Sequence, residues 1–217
     1  MKKLILLGTL LLAMPFSATA SEAVVDIDVH ASTLGFGAGF ALPVTENLSG
    51  RLSLNKYNYA YQTTSDGLNY DSTLKLESIA ALADWHPFSG ITHLTAGLII
   101  NNNEFDMTAT PTGGAFTING TSYTTSAITS LKANIAFNKF APYLGFGWSG
   151  RASKTGLSFK SDIGVMFQGA PKSTLSATGP GASAAATDLA AAQVQLDKDM
   201  SGFKIYPVIS FGIAYAF

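Results

Sequence analysis

The chain has 217 residues and no cysteine, and only 12% of its residues are charged whereas 47% are hydrophobic. The lack of cysteine excludes disulfides and thiolate metal sites, and a formal net charge of −1 argues against a nucleic-acid-binding surface. Apart from residues 4–16, no long apolar run occurs, and none reaches the roughly 18 residues of a membrane-spanning helix.

Residues 1–20 are predicted to be a secretory signal peptide. Lys2 and Lys3 give a positive start, an apolar run follows at residues 4–16, and Ala-Thr-Ala at residues 18–20 is a small-residue cleavage site. Cleavage after Ala20 would leave a single domain, residues 21–217, exported to the periplasm. Without Lys2 and Lys3, 11 basic and 14 acidic side chains remain.

The first part of the domain alternates apolar and polar side chains with period two, which is typical of strands exposed on one face. The alternation runs through residues 22–31 and resumes in the opposite phase at residues 33–42. A phase change over so few residues predicts a tight hairpin between two strands. A turn at residues 43–49 leads to a third strand at residues 51–61.

The middle of the chain continues the pattern. Residues 62–72 are predicted to form a polar loop. A fourth strand follows, marked by Leu74, Leu76, Ala80 and Leu82, with Lys75 and Glu77 on its other face. A turn is predicted at residues 86–90 and a fifth strand at 93–101. Residues 102–130 form a long loop, with a hairpin predicted at Asn119-Gly120.

The alternation then resumes over residues 131–148 with a phase change at Asn138-Lys139, predicting one long sixth strand broken by a bulge. Residues 150–156 make a turn, and residues 157–168 form the seventh strand. A small-residue loop at 172–183 precedes residues 184–200, whose apolar side chains recur at helical spacing and predict a short helix.

The closing strand is predicted at residues 203–217, where one face carries an unbroken series of apolar and aromatic side chains. Such length and alternation suit a strand that crosses an outer membrane at a tilt. The final Phe217, with Tyr215 and Ile213 on the same face, also looks like the signal read by the barrel-assembly machinery.

The sequence therefore predicts an all-β protein, an eight-stranded antiparallel up-and-down transmembrane β-barrel with a short helix in its last extracellular loop. The connections after strands two, four and six are short, as periplasmic turns are, and the long connections fall on the outer side. The expected location is the outer membrane of a Gram-negative bacterium, with its lipids and the assembly machinery as partners.

Several segments resemble a known group of proteins. They are residues 84–88 (DWHPF), 94–97 (LTAG), 141–148 (APYLGFGW), 162–165 (DIGV) and Tyr206-Pro207. These segments resemble the small proteobacterial outer-membrane barrels of the OmpA/OmpW-like group and, in overall layout, the CarO-type proteins, described as uptake porins for basic amino acids. The resemblance implies the barrel fold and a porin-like role, and it brings no catalytic or ligand residue. His86 departs from the Trp-Tyr-Pro form usual at this turn.

Charged side chains of both signs are predicted to point into the lumen. The acids are Asp26, Asp28, Glu77 and Asp162, and the bases are Arg51, Lys75, Lys160 and Lys204. They either form a charged constriction that selects small solutes or pair with one another to fill the barrel. Pairing is favoured because an unpaired buried ion is costly. Inward-facing glycines would still leave room for a thin water-filled path.

Strict alternation would aim Lys56 at lipid, so a β-bulge is predicted at Asn55-Lys56 that turns Lys56 inward. An upper-interface position, with the ammonium reaching toward head groups, is the alternative.

Three functions remain open at this stage. Passage of small solutes is the first, and a structural or surface-interaction barrel without transport is the second. The third is a lipid A-modifying hydrolase built on His30 and Ser32, which would need a base and a hydroxyl within hydrogen-bond reach. The protein is expected not to be an enzyme, and no metal or cofactor is predicted.

Overall fold

A computed structural model describes residues 25–88, 90–113, 115–149 and 155–217. The predicted signal peptide lies outside the described residues, as does most of the turn predicted at residues 150–156. Within the described part of the chain, no helix is long and apolar enough to cross a bilayer.

The described elements follow one another as β1 (Asp26–Ser32), β2 (Gly35–Thr45), β3 (Leu48–Ser65), β4 (Leu68–Trp85), β5 (Thr92–Asn101), β6 (Glu104–Pro111), β7 (Ala115–Ile118), β8 (Thr121–Thr124), β9 (Ser130–Ala136), β10 (Phe140–Ser149), β11 (Gly156–Met166), β12 (Lys172–Thr178), α1 (Ala186–Asp199) and β13 (Tyr206–Ala216).

Eight of these strands close a barrel, which confirms the predicted fold class. Each pairs in antiparallel fashion with its two neighbours, in the order β1, β2, β3, β4, β5, β10, β11, β13 and back to β1. The first strand pairs over its whole length with the last strand, from Asp26 opposite Ala216 to Ser32 opposite Ser210. Closure leaves no unpaired sheet edge within the barrel wall, as membrane spanning requires.

The outer surface of the barrel is apolar and the inner surface holds small or polar residues. Along β13, Ile209, Phe211, Ile213 and Tyr215 are exposed, whereas Val208 and Ala214 on the other face are buried. The same alternation holds in β1, β2, β5, β10 and β11. A continuous exposed apolar wall is stable only against lipid, so these strands are membrane-spanning.

A second sheet extends the barrel at one end, which we call the distal end. Strand β3 pairs with β2 only as far as Lys56. Strand β4 pairs with β5 from Ser78 to Trp85, whereas its earlier residues, Leu68 to Lys75, pair with β6. Strands β9 and β12 continue from β6. We call residues 57–65 of β3, residues 68–75 of β4, and β6, β9 and β12 the distal sheet.

One face of the distal sheet is covered by the β7–β8 hairpin and by α1. Phe116 and Ile118 of the hairpin, Ala185 at the N-cap of α1 and Ala109 of β6 are buried where cover and sheet meet, as is Ile128. The partly buried residues packed against them come from the sheet, the hairpin and the helix: Leu68, Tyr70, Tyr123, Leu131, Ala177, Leu189 and Ala192. The distal sheet, the hairpin and α1 thus share a hydrophobic core of their own, and together we call them the distal unit.

Several predicted elements are confirmed and others are corrected. The helix and the Asn119-Gly120 hairpin are present, and both turn residues have the positive φ that a two-residue hairpin turn requires. The polar loop at residues 62–72 is instead the top of the β3–β4 hairpin, which turns only at Asp66-Gly67. Residues 172–178 form β12 rather than a loop.

The predicted sixth strand is two strands. Residues 130–136 form β9, which pairs with β6 and β12 in the distal sheet. Residues 140–149 form β10, which pairs with β5 and β11 in the barrel. The phase change at residues 138–139 therefore marks the passage from one sheet to another, not a bulge within one strand.

The bulge predicted at Lys56 is also wrong. Strand β3 pairs with β4 in unbroken register from Leu48 to Ser65, so Lys56 stays on the outer face. Its side chain is 69% exposed, and its Nζ lies 3.0 Å from Glu77 Oε2 on the neighbouring strand. Lys56 lies opposite Phe36, close to the β1–β2 turn at the distal end of the barrel. This position matches the alternative prediction, in which Lys56 lies near the upper membrane interface. An ion pair at the membrane boundary avoids the cost of a lone charge in lipid.

Candidate functional site

The lumen is built around Arg51 of β3, which holds two carboxylates from opposite sides of the barrel. Its Nη1 and Nη2 donate to Asp162 of β11 at 2.9 and 3.0 Å. Its Nη2 also donates to Asp84 of β4 at 3.0 Å, and its Nε lies 2.9 Å from the same carboxylate. All three side chains are buried. A guanidinium fork matches two carboxylates in this way better than a lysine ammonium could.

Two further side chains, His93 and Thr95, bond to the two acids, and Ser149 bonds to His93. His93 Nε2 lies 3.0 Å from Asp162 Oδ1, and His93 Nδ1 lies 3.2 Å from the Ser149 hydroxyl. The Thr95 hydroxyl donates to Asp84 at 2.7 Å. These hydrogen bonds keep the buried carboxylates in fixed positions, as buried charges require.

Gly147 explains why these groups can come so close. A Cβ at this position would lie 2.5 Å from His93 Nε2 and 2.7 Å from Asp162 Oδ1, so no other residue fits. In the same way, a Cβ at Gly37 would collide with His30 and Asn55. The space left by these two inward glycines is therefore filled by neighbouring side chains and not by a water path.

A second charged group lies beside the first. Lys160 of β11 is buried, and its Nζ lies 3.2 Å from Asp26 and 3.4 Å from Asp28 of β1. Asp28 also binds His30 Nδ1 at 2.6 Å, and His30 Nε2 lies 2.8 Å from Asn55 Oδ1. Together the two groups form what we call the lumen charge layer: Asp26, Asp28, His30, Arg51, Asp84, His93, Lys160 and Asp162.

An apolar layer closes the lumen on the distal side of the charges. It consists of buried side chains from five strands and from the β1–β2 turn: Leu34, Ala80, Ile99, Ala141, Tyr143, Met166 and Val208. Between the two layers lies a cavity of about 40 Å³, lined on one side by Arg51 and Asp162 and on the other by Ile99 and Tyr143. That is room for roughly one water molecule. Eight strands enclose a space that side chains can fill, and here they fill it.

The structure brings together five of the eight side chains predicted to share the lumen: Asp26, Asp28, Arg51, Lys160 and Asp162. Glu77 and Lys75 are exposed on the outer face of β4, where Glu77 pairs with Lys56 and Lys75 pairs with Asp106 at 2.7 Å. Lys204 is exposed ahead of β13, which begins only at Tyr206.

The error on β4 arises because both of its faces are apolar. The prediction placed Leu76, Ala80 and Leu82 against lipid, but the structure turns this face inward, with Leu76 and Ala80 buried. Ile79 and Trp85 lie on the lipid face. Asp84 is on the inner face, and sequence reasoning missed it as a partner of Arg51. Its place in the inward phase with Ala80 is the signal that could have found it.

Asp84, His93 and Asp162 offer the ligand types of a metal site, with donor atoms within 4.8 Å of one another. The Arg51 guanidinium already donates to both carboxylates, so a cationic group occupies the place between them. The ion pairs with Arg51 therefore account for the close approach of these three side chains.

The possible hydrolase pair does not have catalytic geometry. His30 is held by Asp28 and Asn55, and the Ser32 hydroxyl donates to the Gly35 carbonyl at 3.1 Å and to Asn55 at 3.5 Å. The Asn55 amide oxygen thus stands between the imidazole and the hydroxyl. A general base must reach the proton it removes, directly or through a water, and this arrangement favours a structural role.

Comparisons with known proteins agree with the barrel. The chain is similar to the crystal structure of Acinetobacter baumannii CarO2, with a TM-score of 0.58 and 20% identity over 89% of this chain and 98% of that one. It is also similar to A. baumannii CarO, with a TM-score of 0.55 and 19% identity over 88% and 97% of the two chains. No family model matches, and no curated protein matches. The chain therefore has the fold of these two structures, here a closed eight-stranded antiparallel β-barrel with an apolar outer face.

Proposed function

We propose that this protein is a closed barrel that anchors a folded interaction unit, the distal unit, at the cell surface. The observation that carries the proposal is the contrast between the two ends of the molecule. In the lumen, paired charges and an apolar layer leave a cavity of only about 40 Å³. At the distal end, a hydrophobic core holds together a sheet, a hairpin and a helix.

Polar contacts join the parts of the distal unit in addition to its core. Asp188, in the first turn of α1, accepts hydrogen bonds from the Tyr123 hydroxyl at 2.6 Å and from Asn119 at 3.3 Å. The Tyr123 bond lowers the pKa of the Asp188 carboxyl. Near the other end of the helix, Asp197 accepts from the Ser173 N–H and hydroxyl, which lowers its pKa also. Because α1 is held near both of its ends, the distal unit offers a preorganised surface to a partner.

Passage of small solutes is the second candidate, and the lumen charge layer favours it. Side chains of both signs line the lumen, as expected where a charged solute is selected. A solute would have to displace Tyr143, Ile99 and Met166, which lie in the apolar layer. Transport therefore requires a second conformation of this layer, whereas the anchoring role requires none.

Conductance measurements separate the two candidates. The purified protein, inserted in a planar bilayer, is expected to show no discrete conductance steps because its lumen is packed. A porin reconstituted in the same bilayer serves as the positive control. Steps of reproducible size from the wild-type protein would contradict the closed barrel and support solute passage.

Single-cysteine labelling tests the surface position of the distal unit. The chain has no cysteine, so an introduced one is the only thiol label. Val194 of α1 is 69% exposed, and Val194→Cys is expected to react with a membrane-impermeant maleimide on intact cells. Glu46→Cys, at the exposed β2–β3 turn of the opposite end, is expected to react only after the outer membrane is permeabilised. The reverse pattern would show that the distal unit faces the periplasm.

A further inference from the structure

The apolar face of the distal sheet continues toward the barrel beyond the part that α1 and the hairpin cover. In this uncovered part lie Leu74, Phe105, Ile135 and Phe137. They line one side of a cavity of about 410 Å³, which is closed on other sides by Met200 at the end of α1 and by Tyr206 and Gln168 at the barrel rim. The volume is within the range of small-molecule binding sites.

Two buried amide groups at this cavity lack part of their hydrogen bonds. Gln168 is 2% exposed, and its Nε2 donates to the Phe203 carbonyl at 3.2 Å, but its Oε1 has no hydrogen-bond partner within the described part of the chain. Asn103 is 4% exposed, and its Oδ1 accepts from the Glu77 N–H at 2.9 Å, but none of the described residues is a partner of its Nδ2. Both residues line the cavity. Buried polar atoms are usually satisfied, so the acceptor and the donor left over at this cavity are available to hydrogen-bond a bound molecule.

We propose that this cavity binds a small uncharged amphiphile. The apolar side chains of the distal sheet would contact its aromatic or aliphatic body, and a hydroxyl or N–H of the ligand would donate to Gln168 Oε1. An acceptor on the ligand could bind Asn103 Nδ2. The one ionisable carboxylate of the lining, Glu104, has Lys75 at 3.9 Å, and no cationic side chain lines the cavity among the described residues. An anionic ligand would therefore find no counter-ion, and a cationic ligand would have to compete with Lys75 for Glu104. This binding proposal holds whether or not the outer surface of the distal unit contacts a partner.

An acyl chain from the surrounding lipid is the competing occupant, and it differs in one property that can be measured. A hydrocarbon tail carries no donor for Gln168 Oε1. Two probes of nearly equal size isolate this property: 2-naphthol, which has one hydroxyl donor, and naphthalene, which has none.

The test measures the binding of each probe by titration calorimetry to the protein in lipid nanodiscs, with empty nanodiscs subtracted. The wild-type protein is expected to bind 2-naphthol more tightly than naphthalene. Gln168→Leu should weaken 2-naphthol binding about 2- to 10-fold, the effect of one net hydrogen bond, and should leave naphthalene binding unweakened. Ile135→Trp fills the cavity and should abolish the binding of both probes.

Val194→Trp is the matched control, because it introduces the same side chain on the exposed face of α1 and should change neither affinity. Heat-modifiable migration in electrophoresis verifies that each variant is a folded barrel. If Ile135→Trp does not fold, Met200→Trp fills the cavity from its helix side. The proposal is overturned if the wild type binds neither probe beyond empty nanodiscs, or if the folded cavity-filling variant binds like the wild type. Equal weakening of both probes by Gln168→Leu would also overturn it, since that outcome indicates a purely structural glutamine.

Discussion

Replacing Arg51 with Met is expected to cost the barrel about 3–5 kcal/mol of unfolding free energy, because it leaves two buried carboxylates without their shared cation. Asp84 and Asp162 are 5% and 4% exposed, so bulk solvent does not reach them to replace the guanidinium. Methionine keeps most of the length of the side chain and removes the charge. The measurement is the urea unfolding midpoint in lipid vesicles, followed by the fluorescence of Trp85 and Trp148.

Two controls separate charge from packing. The triple variant Arg51→Met, Asp84→Asn, Asp162→Asn should recover most of the lost stability, since no ion is then left unpaired. Lys172→Met, at an exposed position of β12, should change the unfolding free energy by no more than about 0.5 kcal/mol. A wild-type midpoint for Arg51→Met would show that the lumen ion pairs do not stabilise the fold.

Deletion of Phe217 is expected to leave secretion intact and to prevent most of the protein from reaching the outer membrane as a folded barrel. Phe217 follows β13, is 64% exposed, and stacks edge-on against Tyr215 with ring centroids 4.9 Å apart. So exposed a side chain contributes little to internal packing. A large effect of its loss would therefore indicate recognition by the assembly machinery, in line with the proposed signal at Ile213, Tyr215 and Phe217. The measurement is the amount of heat-modifiable protein in the outer-membrane fraction.

Phe159→Ala is the matched control for Phe217→Ala. Phe159 lies on the neighbouring strand β11, faces the same lipid surface and is 78% exposed. Both substitutions remove one exposed aromatic ring, so a loss of apolar surface alone would affect them equally. Normal assembly of the Phe217 variants, or equal losses in both alanine variants, would argue against a terminal signal.

The periodicity of the sequence determined the local structure of most of the barrel. Alternation with period two requires only that neighbouring side chains point to opposite faces, so β1, β2, β5, β11 and β13 could be recognised without their partners. The Asn-Gly hairpin and α1 were predictable for the same reason, since turn chemistry and helical spacing are local properties.

Periodicity does not say which face is inside when both faces are apolar, and β4 shows the consequence. Ile79 and Trp85 suit lipid, while Leu76 and Ala80 suit the lumen, and only pairing with β3 and β5 decides between them. The same ambiguity placed Glu77 and Lys75 in the lumen and concealed Asp84. Lys56 can face outward because its ammonium pairs with Glu77 on the neighbouring strand, 3.0 Å away. The pattern within β3 could not reveal this partner.

The candidate sites were decided by tertiary structure for a related reason. Arg51, Asp84 and Asp162 come from three strands, and their salt bridges depend on the register and closure of the barrel. The distal cavity exists because β9 pairs in the distal sheet and not in the barrel, and α1 covers that sheet only in part. The sequence by itself determined that the chain alternates and where most strands lie. The contacts between residues far apart in the chain decided which charges pair, whether the lumen is open, and where a ligand could bind.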